Sequence, residues 1–170
     1  MSTSELLLNL GILGLVLATN LGVRPIVRER FTRPVLFMGL AALLYLDGLP
    51  TAGNDLGFEL AGAATGVGLG LLAAGLSKVE TDAQGRLVTR AGAAFAALWT
   101  TVVATRIAFA YGATDVFPHT IATFSRAHDI TGSDAWTTMF VLMALGMVAG
   151  RLGVLALQAS RHRLTPLAAR

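Results

Sequence analysis

The stretch ELAGAATGVGLGLLAAG, Glu59 to Gly75, decides how the rest of the chain is read. Gly62, Gly66 and Gly70 recur every fourth residue and Ala74 continues the row, so one face of a helix here carries almost no side chain. In lipid, a bare face lets a neighbouring backbone approach closely, and that contact supplies the packing energy that hydrophobic burial cannot. Glu59 falls on the same face near one end, where a carboxylate needs a partner or water.

Composition extends this reading to the whole chain. With 54% hydrophobic residues and 14% charged among 170, and a mean hydropathy of +0.66, the chain is too apolar for an ordinary soluble domain. It reads as an all-α integral membrane bundle, a single domain over residues 1–170. There are no cysteines, which excludes thiol nucleophiles, disulfide exchange and thiolate metal sites. The net charge of +3 comes from arginines in separate loops, a pattern of orientation rather than of nucleic-acid binding. The excess of arginine over lysine and the wealth of Ala and Gly fit a bacterial source with a GC-rich genome.

Working outward, apolar runs at about residues 6–23, 35–49, 56–77, 91–111 and 134–157 predict five transmembrane helices. The first lacks the basic start of a leader and is expected to be retained. Arg24, Arg28, Arg30 and Arg33 crowd the loop after the first run; Lys78, Arg86 and Arg90 lie in the loop before the fourth; Arg161, Arg163 and Arg170 lie in the tail. Only Arg126 stands on the other side, so the N-terminus is expected outside and the C-terminus inside a bacterial cytoplasmic membrane. Within the loop at 78–90, Gln84-Gly85 suits a small hairpin.

Three ionisable residues converge on the outer third of this arrangement. Arg106 lies roughly 22 Å up the fourth run, at about the depth of Glu59 and of Asp47 at the end of the second. An arginine at that depth costs about 2.5–3.5 kcal/mol on insertion scales, which pairing or water access offsets. The expectation is an outward-facing polar pocket in which Arg106 meets Glu59, Asp47 or both. It is either a structural ion pair or a site for a small ligand or outer-leaflet lipid. Arg151, near the inner edge of the fifth run, is expected to snorkel to the interface.

The segment 117–130 is expected to form an amphipathic surface helix after Pro118. It carries His119 and His128, whose nine-residue separation is poor for metal ligation, since useful pairs stand three or four apart. No cofactor is expected, and haem or metal handling by these two histidines is the weakest alternative. Gly146, Gly150 and Gly153 give the fifth run a second small-residue face, for packing within the bundle or between protomers of a homo-oligomer or membrane complex. The glycines at 66–70 are no phosphate loop, as they lie in an apolar helix without a following Lys. No HExxH pattern and no serine beside a histidine is present.

One resemblance gathers these features. Arg33-Pro34, then Glu59 with Gly62 and Gly66, then SKVE at 77–80, QGRLVTRAG at 84–92 and a helix with Trp99 and Arg106 resemble the CcdC-like family of small bacterial membrane proteins, over roughly 24–111. The resemblance implies a small helical bundle in the cytoplasmic membrane, linked by name with cytochrome c biogenesis genes, and transfers no catalytic residues. The leading expectation is thus a non-enzymatic component binding a ligand, lipid or partner. The alternative is an intramembrane enzyme using Asp47 or Glu59 as acid or base, with Arg106 holding an anionic substrate.

Overall fold

The computed structural model describes residues 3–26, the single positions 32, 36 and 39, and residues 52–168. The elements are α1 (Thr3–Asn20), β1 (Gly22–Pro25), α2 (Asp55–Gly75), β2 (Ser77–Thr81), β3 (Leu87–Ala91), α3 (Ala93–Tyr111), a π-helical turn (Gly112–Val116), α4 (Pro118–Ala127) and α5 (Ser133–Ala168). Among the described residues three helical stretches are long and apolar enough to cross a membrane: Asp55–Gly75, Ala93–Val116 and Ser133–Arg161. Apart from positions 36 and 39, the second apolar run expected at 35–49 lies outside the described residues, and so does Asp47.

The glycine row packs α2 against α5. A Cβ built on Gly62 would stand 2.5 Å from Met139 Cγ, and one on Gly66 or Gly70 would collide with the backbone of Met143 or Met147. The fit is mutual, since a Cβ on Gly146 would stand 2.5 Å from the Ala63 carbonyl oxygen and one on Gly150 2.7 Å from that of Val67. Contacts advance together along both helices, so α2 and α5 run parallel. Gly153 faces away from this contact, with nothing among the described residues within 4 Å of its Cβ position. Three residues rather than four beyond Gly150, it is turned about 60° back from that glycine.

At one end of the bundle, β1, β3 and β2 form an antiparallel sheet in that order. The chain is thus mostly helical, as expected, with this small sheet added to the helices. The β2–β3 hairpin turns where Gly85 takes φ +75°, a left-handed conformation that costs glycine little. Asp82 braces the turn: its Oδ1 accepts the Gln84 and Arg86 backbone N–H groups at 2.9 and 2.8 Å, and its Oδ2 accepts Arg86 Nε at 2.8 Å. The Arg86 backbone N–H, first among these donors, holds the Asp82 carboxyl below its ordinary value of 3.8.

The third strand comes from the end of the expected first span. Helix α1 stops at Asn20, Gly22 turns at φ +82°, and Gly22–Pro25 pairs with Ala91–Val88. Arg24 folds back to donate to the carbonyls of Ala18 and Leu21 at 2.6 and 3.2 Å, satisfying groups that the helix end leaves open. The other ends also move: α3 begins two residues late, behind β3, but continues into the π turn, while α5 stays helical to Ala168.

Above the sheet lies a core of Ala73, Ala91, Phe95, Trp99 and Met147. Arg151 belongs to it rather than snorkelling. Only 8% exposed, it donates to Asn20 Oδ1 at 2.7 Å and lies 4.4 Å over the Phe95 ring. Asn20 and the Phe95 ring give it a polar partner and an aromatic face inside the bundle.

Candidate functional site

The opposite end of the bundle, here the cap end, is built on α4. Pro118 starts the helix where its missing N–H costs nothing. The His128 amide bonds the Phe124 carbonyl at 3.1 Å, and Asp129 leaves in the left-handed region at φ +53°. That turn lets the Asp129 carbonyl accept the Asn54 amide at 2.9 Å, and the bare Gly53 admits it. One residue on, Asp55 is fully buried and accepts the Thr131 amide at 2.8 Å and the Thr131 hydroxyl. The start of α2 is thereby clamped to the loop that opens α5.

Aromatic rings fill the space under α4. Trp136 of α5 stacks with Phe109 of α3 at 5.0 Å, meets Phe58 of α2 edge-on at 4.7 Å and approaches Phe124 of α4 at 6.0 Å. Its indole Nε1 donates to the buried Ser125 hydroxyl of α4 at 3.0 Å. Each ring pair contributes about 0.5–1.5 kcal/mol beyond the area it buries. One tryptophan thus joins four helices.

Beside this cluster, α3, α4 and α5 enclose a cavity of about 990 Å³. Its walls are mostly apolar, among them Ile107, Phe109, Ile121 and Phe140. Arg106 and Arg126 both line it, together with the hydroxyls of Ser125, Ser133, Thr114 and Thr137. The Arg106 guanidinium lies 5.6 Å from the centre of the Phe140 ring, a cation–π arrangement suited to a half-buried charge.

Of the residues singled out in the sequence, the structure puts Arg106 in this cavity and Glu59 elsewhere. Glu59 lies on the glycine face of α2, turned to α5 and fully buried, and among the described residues neither carboxylate oxygen has a hydrogen-bond partner. Arg106 and Glu59 are therefore not hydrogen-bonded to each other. Asp47 lies outside the described residues. His128 stacks on Phe124 at 4.1 Å with Nδ1 2.9 Å from its carbonyl oxygen, while His119 stands at the other end of α4. Among the described residues no group of three His, Asp or Glu is placed to hold a metal ion.

Sequence reasoning passed over Arg126 and Asp55. The signal for Arg126 was its turn of helix: Pro118, Ile121, Ala122, Ser125 and Arg126 recur at three- and four-residue steps and form the cavity-facing side of α4. For Asp55 the signal was an acidic residue in the first turn of an apolar helix.

A family model described as CcdC protein, DUF1453, matches residues 5–162. The chain belongs to the CcdC protein family. The match takes in α1 and most of α5 as well as the stretch that carries the resemblance noted above. No curated protein and no solved structure matches the chain.

Proposed function

We propose that this CcdC-family chain is a non-enzymatic, multi-pass component of the bacterial cytoplasmic membrane that binds an anionic small molecule or lipid in the cap-end cavity, with Arg106 as anchor. The observation that carries the reading is two arginines, Arg106 and Arg126, on the wall of one large and mostly apolar cavity. Apolar pockets with a few convergent polar groups are the usual form of a ligand site. A cationic group there selects an anionic partner.

Charge distribution supports an outward-facing cavity. Arg24, Lys78 and Arg90 lie on the sheet and Arg86 in its hairpin turn, beside Glu80 and Asp82, whereas Asp115, Asp129 and Asp134 lie at the cap end. The sheet then faces the cytoplasm, and five spans with the N-terminus outside complete the topology. Glu59 is turned to α5 and lines no part of the cavity, so acid–base chemistry between it and an Arg106-held substrate is not carried forward. Self-association through the glycine rows is likewise left out, because Gly62, Gly66, Gly70, Gly146 and Gly150 are already occupied within one chain.

Native mass spectrometry of the detergent-purified chain tests the reading. The wild type carries a defined extra mass, and Arg106→Ala loses it while keeping its melting temperature. A folded Arg106→Ala that retains the same mass, or a wild type with no adduct, overturns it.

A further inference from the structure

We infer that two copies of this chain pair through the edge strand β2, antiparallel and centred on Val79, into one continuous sheet. The inference rests on the spanning topology proposed above and not on the cavity. Among the described residues β3 is the middle strand, which leaves β1 and β2 as the edges. The two edges are not alike. β1 opens at Gly22 with φ +82° and closes on Pro25, which has no N–H to offer a further strand. β2 runs for 5 residues, Ser77–Thr81, in unbroken register with β3 and without proline. Lys78, Glu80 and Thr81 on it are exposed. It starts just after α2 ends at Gly75, near the rim of the hydrocarbon, where backbone groups without partners are costly.

The faces of the sheet set the symmetry of the pair. Ser77, Thr89 and Ala91 are buried on its inner face, and Ala91 packs into the core with Phe95, Trp99 and Met147. Lys78, Glu80 and Arg90 lie on the opposite face and are exposed. The sheet thus lies across the end of the bundle, with its normal along the helices. Two identical antiparallel strands side by side are related by a two-fold along that normal. Copies of one chain inserted in a membrane share one orientation, so a closed pair needs a two-fold in that same direction. Confinement to one plane and one orientation also lowers the cost of association, which lets a short ladder hold.

Side chains set the register. With Val79 opposite the partner's Val79, Lys78 stands opposite the partner's Glu80, and Glu80 opposite the partner's Lys78. A slip of one residue puts inner side chains opposite outer ones. A slip of two brings Lys78 against the partner's Lys78 or Glu80 against the partner's Glu80, as parallel pairing also does. Within one chain Lys78 lies directly opposite Arg90 of β3, and Glu80 Oε2 stands 3.5 Å from Arg90 Nε. Lys78 therefore has a like charge as its neighbour on β3, and the partner's Glu80 on its other side offsets that repulsion.

Disulfide cross-linking of the full-length chain in isolated membranes tests the pairing, because the chain has no cysteine of its own. Opposite residues of an antiparallel pair have Cα atoms about 4.5–5.5 Å apart, within the reach of a disulfide. On oxidation with copper phenanthroline, Val79→Cys is expected to give a species of twice the chain mass. It should form at least about tenfold faster than with Thr81→Cys, whose thiols are displaced by roughly 14 Å along the strands. Adding Lys78→Glu to Val79→Cys slows the reaction about fivefold or more, and adding Glu80→Lys as well restores it, because the exchanged charges complement each other again. Coexpressed Lys78→Cys and Glu80→Cys copies cross-link to each other faster than either does alone. Both positions are exposed, so this combination reports even where Val79→Cys does not fold. Val79→Cys no faster than Thr81→Cys, or unreactive Lys78→Cys and Glu80→Cys copies, overturns the pairing. A Val79→Cys product with a different protein overturns the second copy as partner, and cross-linking indifferent to the charge reversal overturns the register. None of these outcomes depends on what the cavity binds.

Discussion

Adding one methyl group at Gly66 or at Gly68 should have opposite effects on stability. At Gly66 a Cβ would stand 2.7 Å from the Met143 carbonyl carbon and 2.8 Å from its Cα, with the carbonyl oxygen closer still. Ordinary van der Waals contact begins at 3.4 Å, so the carbon shortfall alone is 0.7 Å, and the obstacle is backbone that cannot swing aside. Helices α2 and α5 must separate, which loosens Gly62, Gly70, Gly146 and Gly150 together. Overpacking of this kind costs about 1–3 kcal/mol, against roughly 1 kcal/mol gained by replacing glycine with alanine in a helix. Gly68, two residues on, has nothing among the described residues within 4 Å of its Cβ position and keeps only the gain. Gly66→Ala should therefore fall about 1–3 kcal/mol below Gly68→Ala in reversible unfolding from mixed micelles, the common propensity gain cancelling between them. Equal stability of the two variants would refute the close α2–α5 contact.

Other consequences can be checked separately. Asp55→Asn loses the charge-assisted bonds to Thr131 and should destabilise by about 1–3 kcal/mol; an Asp55→Ala and Thr131→Val cycle without coupling would rule the clamp out. Arg151→Lys keeps the charge but loses the planar group over Phe95, and should cost about 0.5–2 kcal/mol in equilibrium unfolding, a loss that vanishes in a Phe95→Leu background. The Asp82 carboxyl sits below its ordinary 3.8, chiefly through the Arg86 amide. Its contribution to the hairpin is thus complete above that ordinary value and is lost as pH falls through the lowered folded value. The Arg86 amide resonance, followed by NMR, should titrate below 3.8 and lose that titration in Asp82→Asn; a midpoint at or above 3.8 would contradict the bracing.

What could be read in advance follows the range of the interactions involved. The glycine row at 62, 66 and 70 announced a close helix contact because four-residue spacing is a local property, and Gly85 and Pro118 marked the hairpin and α4 for the same reason. Arg106 was expected to meet Glu59, Asp47 or both at a shared depth, yet the place of Glu59 in the glycine row already turned it to α5; depth along the membrane does not fix which way a helix face points. The β1–β3 ladder joins residues far apart in sequence, and Gly22-Val23 passed for the end of an apolar span. Arg151 illustrates the same limit. Its burial depends on Asn20 and Phe95, partners from two other helices that no local pattern brings together.

The outward-facing cavity is the centre of this account, and cysteine labelling tests it most directly, because the chain has no cysteine of its own. Ala113→Cys places one thiol on the cavity wall, and Ala83→Cys places one at the exposed hairpin turn of the sheet. In intact spheroplasts a membrane-impermeant maleimide should modify Ala113→Cys, while Ala83→Cys should react only after permeabilisation. Labelling of Ala83→Cys in intact cells, with Ala113→Cys protected until the membrane is opened, would put the cavity on the cytoplasmic side and contradict the account.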